Sequence, residues 1–190
     1  MTNERYLPEV QFYMRERDPE SSDANPFKWH IAPSAELFGG RSVIIVGIPG
    51  AFTPTCSSNH IPRYEALYSD LVGAGVDEIF CTSVNDAFVM RKWALSLNIE
   101  NVQMLPDGNG SFARRMGMLV GKENLGFGLR SWRYSLLAKD GQINKVFVEP
   151  GIEDSAPDDP FEVSDADTML AYLRGESPGK VVGPSVDFQG

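Results

Sequence analysis

Residues 43–48 read Val-Ile-Ile-Val-Gly-Ile, a continuous apolar stretch that a Pro-Gly pair ends. A run with no polar position for a solvated face predicts a central parallel strand that is buried on both faces. A helix should follow, because Thr53 suits the N-cap and Pro54 the first helical position. Pro62 is expected to kink this helix without ending it. The pattern therefore predicts a strand that leads through a short loop into a helix.

The same kind of pattern continues along the chain. The further predicted elements are a strand at residues 79–84, a helix from Asp86, a third strand ending at Leu105, a short helix at residues 112–116, a hairpin of residues 134–139 and 143–148, and a helix with Ser164 as its N-cap. Parallel strands with crossover helices, followed by a hairpin and a helix, predict a thioredoxin-like α/β fold. We expect a central mixed sheet flanked by helices, with residues 1–190 forming one domain.

Composition narrows the class of protein. The chain has 190 residues, with 17 basic and 26 acidic side chains and a formal net charge of −9. This charge argues against nucleic acid or an anionic membrane as a partner, since both reward clustered Lys and Arg. A mean hydropathy of −0.22 excludes an integral membrane protein. Residues 1–14 resemble neither a secretion signal nor an organelle presequence, so we expect a protein of the reducing cytoplasm.

The two cysteines stand in different contexts. With Thr53 as N-cap, Cys56 takes the third helical position, where unpaired backbone N–H groups and the helix dipole stabilise a thiolate. The alternative is a small buried hydrophobic residue, which is the usual role of a free cysteine. Cys81 falls within an apolar strand, and this position favours a buried, inert thiol over a partner for Cys56.

Pro49, Thr53 and Cys56 form a P-x-x-x-T-x-x-C array. This segment resembles the active-site loop of peroxiredoxins, and Pro-Gly-Ala-Phe-Thr-Pro-Thr-Cys-Ser is similar to the peroxiredoxin-five subfamily in particular. The resemblance is strongest to the peroxiredoxin half of hybrid peroxiredoxin-glutaredoxin proteins. The chain stops at Gly190, so any glutaredoxin is expected to act in trans. Further segments that carry the resemblance are residues 25–29, 83–86, 130–135 and 164–170.

The resemblance implies a peroxidase without a cofactor, in which Cys56 attacks the O–O bond and becomes a sulfenic acid. Arg133 matches the family's active-site arginine, Thr53 its hydroxyl, and Pro49 the proline that shields the nucleophile at the substrate site. Ionising a thiol of pKa about 8.5, roughly 3% ionised at pH 7, gains at most ~30-fold in rate. The remaining acceleration must come from hydrogen-bond donors aimed at the peroxide oxygens. Arg130 is a second candidate arginine.

The same resemblance implies the partners. Subfamily members that resolve internally use a cysteine nearer the C-terminus, and residues 149–167 contain none. We therefore expect a one-cysteine mechanism with glutathione and glutaredoxin as reductant, thioredoxin as the rival, and a homodimer with the helix entrance near its interface. The alternative function is a redox sensor or interaction module in which Cys56 is oxidised without sustained turnover. A disulfide-exchange enzyme is disfavoured because no neighbouring resolving thiol is present.

The remaining polar residues carry weaker signals. His60 follows Cys56 by four residues, but a helical histidine is more often a local hydrogen-bonding group than a catalytic one. His30 offers nothing specific, and two histidines without paired spacing predict no metal site. Residues 153–159 form an acidic stretch that is most simply a solvated loop.

Overall fold

The computed structural model describes residues 5–177, with a mixed five-stranded sheet at its centre. The elements in chain order are β1 Gln11–Arg17, β2 Phe27–Pro33, α1 Ser34–Phe38, β3 Ser42–Gly47, a π-helical turn Cys56–His60, α2 Ile61–Ala66, α3 Tyr68–Gly73, β4 Glu78–Ser83, α4 Ala87–Ser96, β5 Gln103–Pro106, α5 Ser111–Met116, β6 Leu119–Gly121, a 3-10 turn Glu123–Leu125, β7 Leu129–Ser131, β8 Tyr134–Lys139, β9 Gln142–Val148 and α6 Ala166–Arg174.

The predicted thioredoxin-like α/β fold is confirmed. The sheet order is β5-β4-β3-β8-β9, with β3 parallel to β4 and antiparallel to β8. β8 and β9 form the predicted hairpin, whose turn uses Asp140 and Gly141 at φ of 49° and 73°. Both values are positive, as a tight hairpin turn requires. The central position of β3 places its carboxyl end, and the loop that follows, in the middle of the sheet edge.

Both faces of β3 are buried, as its apolar sequence predicts. Ile44, Val46 and Ile48 pack into one core cluster, while Val43 and Ile45 pack into the other. The first cluster also receives apolar side chains from the four helices α2, α3, α4 and α6. The second receives Phe12, Phe38 and Phe112, and further side chains, from the elements on the opposite face. The helices that carry the candidate site therefore pack on one side of a rigid sheet.

Some elements differ from the predictions. The structure adds the β1–β2 hairpin, α1 and the β6–β7 pair, none of which was predicted. The N-cap of the last helix is Asp165 rather than Ser164, because the Asp165 carboxylate accepts the Thr168 N–H at 2.9 Å. Within residues 5–177, no helix has both the length and the apolar character needed to cross a membrane.

Candidate active site

The loop that follows β3 is fixed by hydrogen bonds to β4 and to the loop that follows β4. The Ile48 N–H donates to the Thr82 carbonyl at 3.0 Å, and the Ala51 N–H donates to Asn85 Oδ1 at 3.0 Å. Pro49 is buried at the base of this loop. Phe52 adopts a φ of 64°, a left-handed conformation that a bulky side chain rarely takes. The surrounding contacts hold this strained backbone, which is common beside functional sites.

The helix entrance differs from the prediction in one respect. The Thr53 carbonyl accepts the Ser57 N–H at 3.1 Å, so Thr53 stands where a backbone N-cap stands. Its hydroxyl, however, donates to the Gly50 carbonyl at 2.7 Å instead of accepting from the first helical turn. The predicted N-cap position is confirmed in the backbone, but the hydroxyl does not cap the helix, because the Gly50 carbonyl lies within reach and accepts its proton. Thr53 thereby clamps the loop to the helix.

Cys56 begins a wide turn of the helix. The residues Cys56–His60 are π-helical, and the Ile61 N–H donates to the Cys56 carbonyl. The helical conformation then passes through Pro62, which lies in the first turn of α2. The indole of Trp93 on α4 donates to Ser57 Oγ at 3.0 Å, so the turn is tied to the neighbouring helix. A π-turn of this kind often marks a functional position in a helix.

Arg133 places a positive charge beside this turn. Its Nη1 donates to Cys56 Sγ at 3.3 Å, and the two residues are only 1% and 0% exposed. Burial by itself would lower the pKa of Arg133, but the charges of Cys56 and Asp159 outweigh it and raise the pKa above its usual value. A permanently charged guanidinium in contact with sulfur favours the thiolate.

His60 lies on the other side of the same nitrogen. Its Nδ1 is 3.2 Å from Arg133 Nη1, and its Nε2 is 3.1 Å from the Ser164 carbonyl. Arginine can only donate, so Nδ1 must be the acceptor and Nε2 must carry the proton. Burial, with the nearby Arg133 charge, holds the pKa of His60 well below its usual value. The histidine is a hydrogen-bonding group, as expected, but its partners lie far along the chain.

Asp159 completes the surroundings of Arg133 and adds to the interpretation of the acidic stretch. Its carboxylate accepts from Arg133 Nε at 3.3 Å and from Nη2 at 2.5 Å. Asp154, in the same stretch, accepts the Gly121 N–H at 2.7 Å. Residues 153–159 are mostly exposed, as a solvated loop is, but two of their carboxylates also bind distant parts of the chain. Nothing in the local sequence distinguishes these two aspartates from Asp158.

The remaining candidates lie outside this cluster. Arg130 donates from Nε to the Phe127 carbonyl at 3.0 Å, and its Nη1 approaches Gly50 so closely that a Cβ there would lie 3.2 Å away. Cys81 is buried in β4, where burial and then the Cys56 charge raise the pKa of its thiol well above the usual value. His30 Nε2 contacts Glu36 at 3.0 Å, away from the sulfur. In the described part of the chain, no three metal-ligating side chains of His, Cys, Asp or Glu cluster together.

Comparison with known proteins agrees with this arrangement. A family model described as Redoxin matches residues 30–170. The chain is 56% identical over 180 residues to a peroxiredoxin of Synechocystis sp., covering 94% of this chain and 95% of the relative. It is 52% identical over 167 residues to a hybrid peroxiredoxin of Haemophilus influenzae, covering 88% of this chain but only 64% of that longer protein.

Solved structures agree with the sequence relatives. The structure of a Plasmodium falciparum antioxidant protein, described as a 1-Cys peroxiredoxin, superimposes with a TM-score of 0.85 at 30% identity, covering 90% of this chain and 99% of that one. Reduced Prx3 of Vibrio vulnificus in complex with hydrogen peroxide gives a TM-score of 0.75 at 37% identity, covering 92% and 96%. On these matches, which span almost the whole of several relatives, the chain belongs to the peroxiredoxin family of peroxidases.

Proposed function

We propose that this peroxiredoxin reduces hydrogen peroxide and small organic hydroperoxides through Cys56. The thiolate attacks one oxygen of the O–O bond, the S–O bond forms as the O–O bond breaks, and the departing oxygen takes a proton and leaves as water or an alcohol. The sulfur is oxidised to a sulfenic acid and the peroxide is reduced. The observation that carries this proposal is the 3.3 Å contact between Arg133 Nη1 and Cys56 Sγ in a buried setting.

Arg133 donates to the Cys56 sulfur, and two further donors belong to the same helix entrance. As charge moves from sulfur to the leaving oxygen, preorganised N–H and O–H groups stabilise it as an oxyanion hole does. We assign this role to the Arg133 guanidinium, the backbone N–H of Cys56 in the first helical turn, and the Thr53 hydroxyl, which would turn from the Gly50 carbonyl to the peroxide. Pro49, buried at the base of the loop, shields the nucleophile from bulk water.

The second half of the reaction needs an outside thiol. Burial within β4 raises the pKa of the Cys81 thiol, so it supplies little reactive thiolate, and the chain has only these two cysteines. The sulfenic acid is therefore attacked by a glutathione thiolate, which forms a mixed disulfide and releases water; glutaredoxin then takes the glutathione and regenerates the Cys56 thiol. Thioredoxin is the rival reductant. The description of the Plasmodium relative as a 1-Cys peroxiredoxin supports the one-cysteine mechanism.

We further propose that the enzyme is a cytoplasmic homodimer. Phe52 and Phe127 are 56% and 39% exposed, and both belong to loops that meet at Arg130 beside Gly50. Exposed aromatic side chains near the helix entrance favour an interface between two copies at that place. Sedimentation of wild type and Phe52→Asp tests it: a dimer that the substitution weakens is expected, and a wild-type monomer at micromolar concentration contradicts it.

A reductant panel tests the reaction. Wild type, Cys56→Ser and Cys81→Ser are mixed with hydrogen peroxide and either no reductant, glutathione with glutaredoxin, or thioredoxin with its reductase. Wild type and Cys81→Ser should consume one equivalent of peroxide alone and turn over with added thiol, while Cys56→Ser should do neither. Oxidation of Cys56 without turnover under any reductant would favour the redox sensor instead. Loss of thioredoxin-driven turnover in Cys81→Ser alone would overturn the one-cysteine mechanism.

A further inference from the structure

The chain between β9 and α6 lies across Arg133. The Glu149 N–H at its start donates to the Arg133 carbonyl at 3.1 Å. The Phe161 ring near its end lies 5.7 Å from the guanidinium carbon of Arg133 and 4.8 Å from the centre of the His60 ring. We call residues 149–163 the strap. Arg133 is therefore enclosed between the active-site helix on one side and the strap on the other.

The strap is anchored by a buried carboxylate. Glu149, 1% exposed, accepts the N–H groups of Glu162, Val163 and Ser164 at 2.8 to 3.0 Å, and the Ser164 hydroxyl at 2.7 Å. Hydrogen bonds to an ionised group are stronger than neutral ones. Glu149 directly follows β9, so these bonds hold residues 162–164 to the end of that strand. Asp159 lies three residues before Glu162 and is therefore not a freely moving loop residue.

The contacts of Arg133 are divided between its edges. Nε and Nη2 face the two oxygens of Asp159, while Nη1 faces Cys56 Sγ and His60 Nδ1. A guanidinium has five N–H groups in a fixed plane, so these contacts leave one N–H, on Nη2. Because the guanidinium is planar, this remaining N–H lies on the edge formed by Nη1 and Nη2. A carboxylate that grips one edge therefore sets the direction in which the other edge points.

We propose that Asp159 is a positioning residue of the peroxidase reaction, which orients the Arg133 guanidinium so that its Nη1 edge faces the sulfur and the bound peroxide. Asp159 transfers no proton and does not touch the reacting atoms. The proposal rests on the proposed function, because it concerns the same chemical step. It also has a distinctive consequence: the negative charge of Asp159 partly offsets the guanidinium charge that favours the Cys56 thiolate, so positioning and thiolate stabilisation oppose each other.

The test compares Asp159→Asn with Asp158→Asn. Both substitutions remove one negative charge from adjacent exposed positions, but within residues 5–177 Asp158 makes no hydrogen bond or ion pair. Two quantities are measured in each: the single-turnover rate constant for oxidation by hydrogen peroxide, and the fraction of Cys56 present as thiolate, from its ultraviolet absorbance against pH. Asp159→Glu, which keeps the carboxylate, serves as the rescue variant. Denaturation midpoints establish that each protein is folded.

We expect Asp159→Asn to lose about tenfold or more in the oxidation rate constant while its thiolate fraction at a given pH rises. Asp158→Asn should stay within about twofold of wild type, and Asp159→Glu should recover part of the rate. A rate for Asp159→Asn equal to that of Asp158→Asn overturns the proposal. A fall in the oxidation rate constant together with a fall in the thiolate fraction of Asp159→Asn also overturns it, because that result is expected if Asp159 has a purely structural role. A wild type that peroxide does not oxidise would sink the proposed function itself, and this inference with it.

Discussion

Nδ1 of His60 lies 3.2 Å from Nη1 of Arg133, the same nitrogen that contacts the Cys56 sulfur. This contact requires a neutral histidine, because a protonated ring would put two positive donors face to face. Burial of the ring, reinforced by the guanidinium charge, accordingly holds the pKa of His60 well below its usual value. The arrangement couples the protonation state of a fully buried histidine to the position of the arginine.

His60 should make the protein less stable in mild acid. The unfolded chain takes up a proton on His60 below pH about 6.5, whereas the folded protein, with its lowered pKa, does not. The free energy of unfolding should therefore fall with pH below that value, by up to about 1.4 kcal/mol per pH unit, until the folded pKa is reached.

Chemical denaturation of wild type and His60→Gln between neutrality and mild acid measures this effect. Glutamine can accept from Arg133 and donate to the Ser164 carbonyl but does not titrate. The stability curve of His60→Gln should be flatter than that of wild type. Two curves that run parallel would contradict a neutral His60 in the folded state.

Arg133→Lys should lose far more peroxidase rate than thiolate. A lysine keeps a positive charge near the sulfur but cannot present two donors in one plane. We expect the rate constant for Cys56 oxidation to fall by about two to three orders of magnitude, the usual cost of an oxyanion-hole donor. Arg130→Lys is the matched control, because Arg130 donates to the Phe127 carbonyl and not to Cys56. Equal losses in the two variants would contradict a special role for the Arg133 fork, because Arg133 donates to the sulfur and Arg130 does not.

Cys81 should remain a thiol during peroxide reduction. Burial in β4, with the charge of Cys56 adding to it, raises the pKa of the Cys81 thiol well above the usual value, so little of the reactive thiolate forms. After one equivalent of peroxide, mass spectrometry of peptides should find the sulfenic acid, or its trapped adduct, only at Cys56. Cys81→Ala should be oxidised at the wild-type rate. A disulfide between Cys56 and Cys81 would refute this expectation.

The sequence predicts the centre of the fold well because local pattern determines it. The apolar run of β3 and the turn residues Asp140 and Gly141 carry enough information to place the sheet centre and the hairpin. β1 is different: its polar residues alternate with few apolar ones, and only Phe12 is fully buried. A strand that pairs with one neighbour and exposes most of its side chains leaves little hydrophobic signal.

The candidate site also has one part that the sequence predicts and another part that it does not. Pro49, Thr53 and Cys56 lie within eight residues, so one motif places them together. Asp159 and Glu149 carry no such signal, because their roles come from the path of the strap over Arg133 and not from neighbouring residues. The sequence shows several carboxylates in that region, and which of them meets the guanidinium is decided only by tertiary packing.

Gly47 should be the least replaceable residue of β3. A Cβ at this position would lie 2.1 Å from Tyr134 Cε1 and 2.6 Å from Cζ, and the ring is fully buried. Gly47→Ala therefore has to move the ring or the strand, at a cost of about 1 to 3 kcal/mol in the free energy of unfolding. Because Tyr134 follows Arg133 directly, the rate of Cys56 oxidation should also fall.

Gly73→Ala supplies the matched control for Gly47→Ala. Gly73 is the exposed last residue of α3, and a Cβ there meets no atom within 4 Å. The same added methyl group should leave stability unchanged or raise it by about 0.5 to 1 kcal/mol, because alanine reduces the conformational freedom of the unfolded chain. The test compares the denaturant midpoints and the single-turnover oxidation rates of Gly47→Ala and Gly73→Ala. If Gly47→Ala matched Gly73→Ala in both measurements, the Tyr134 ring would not be held against β3.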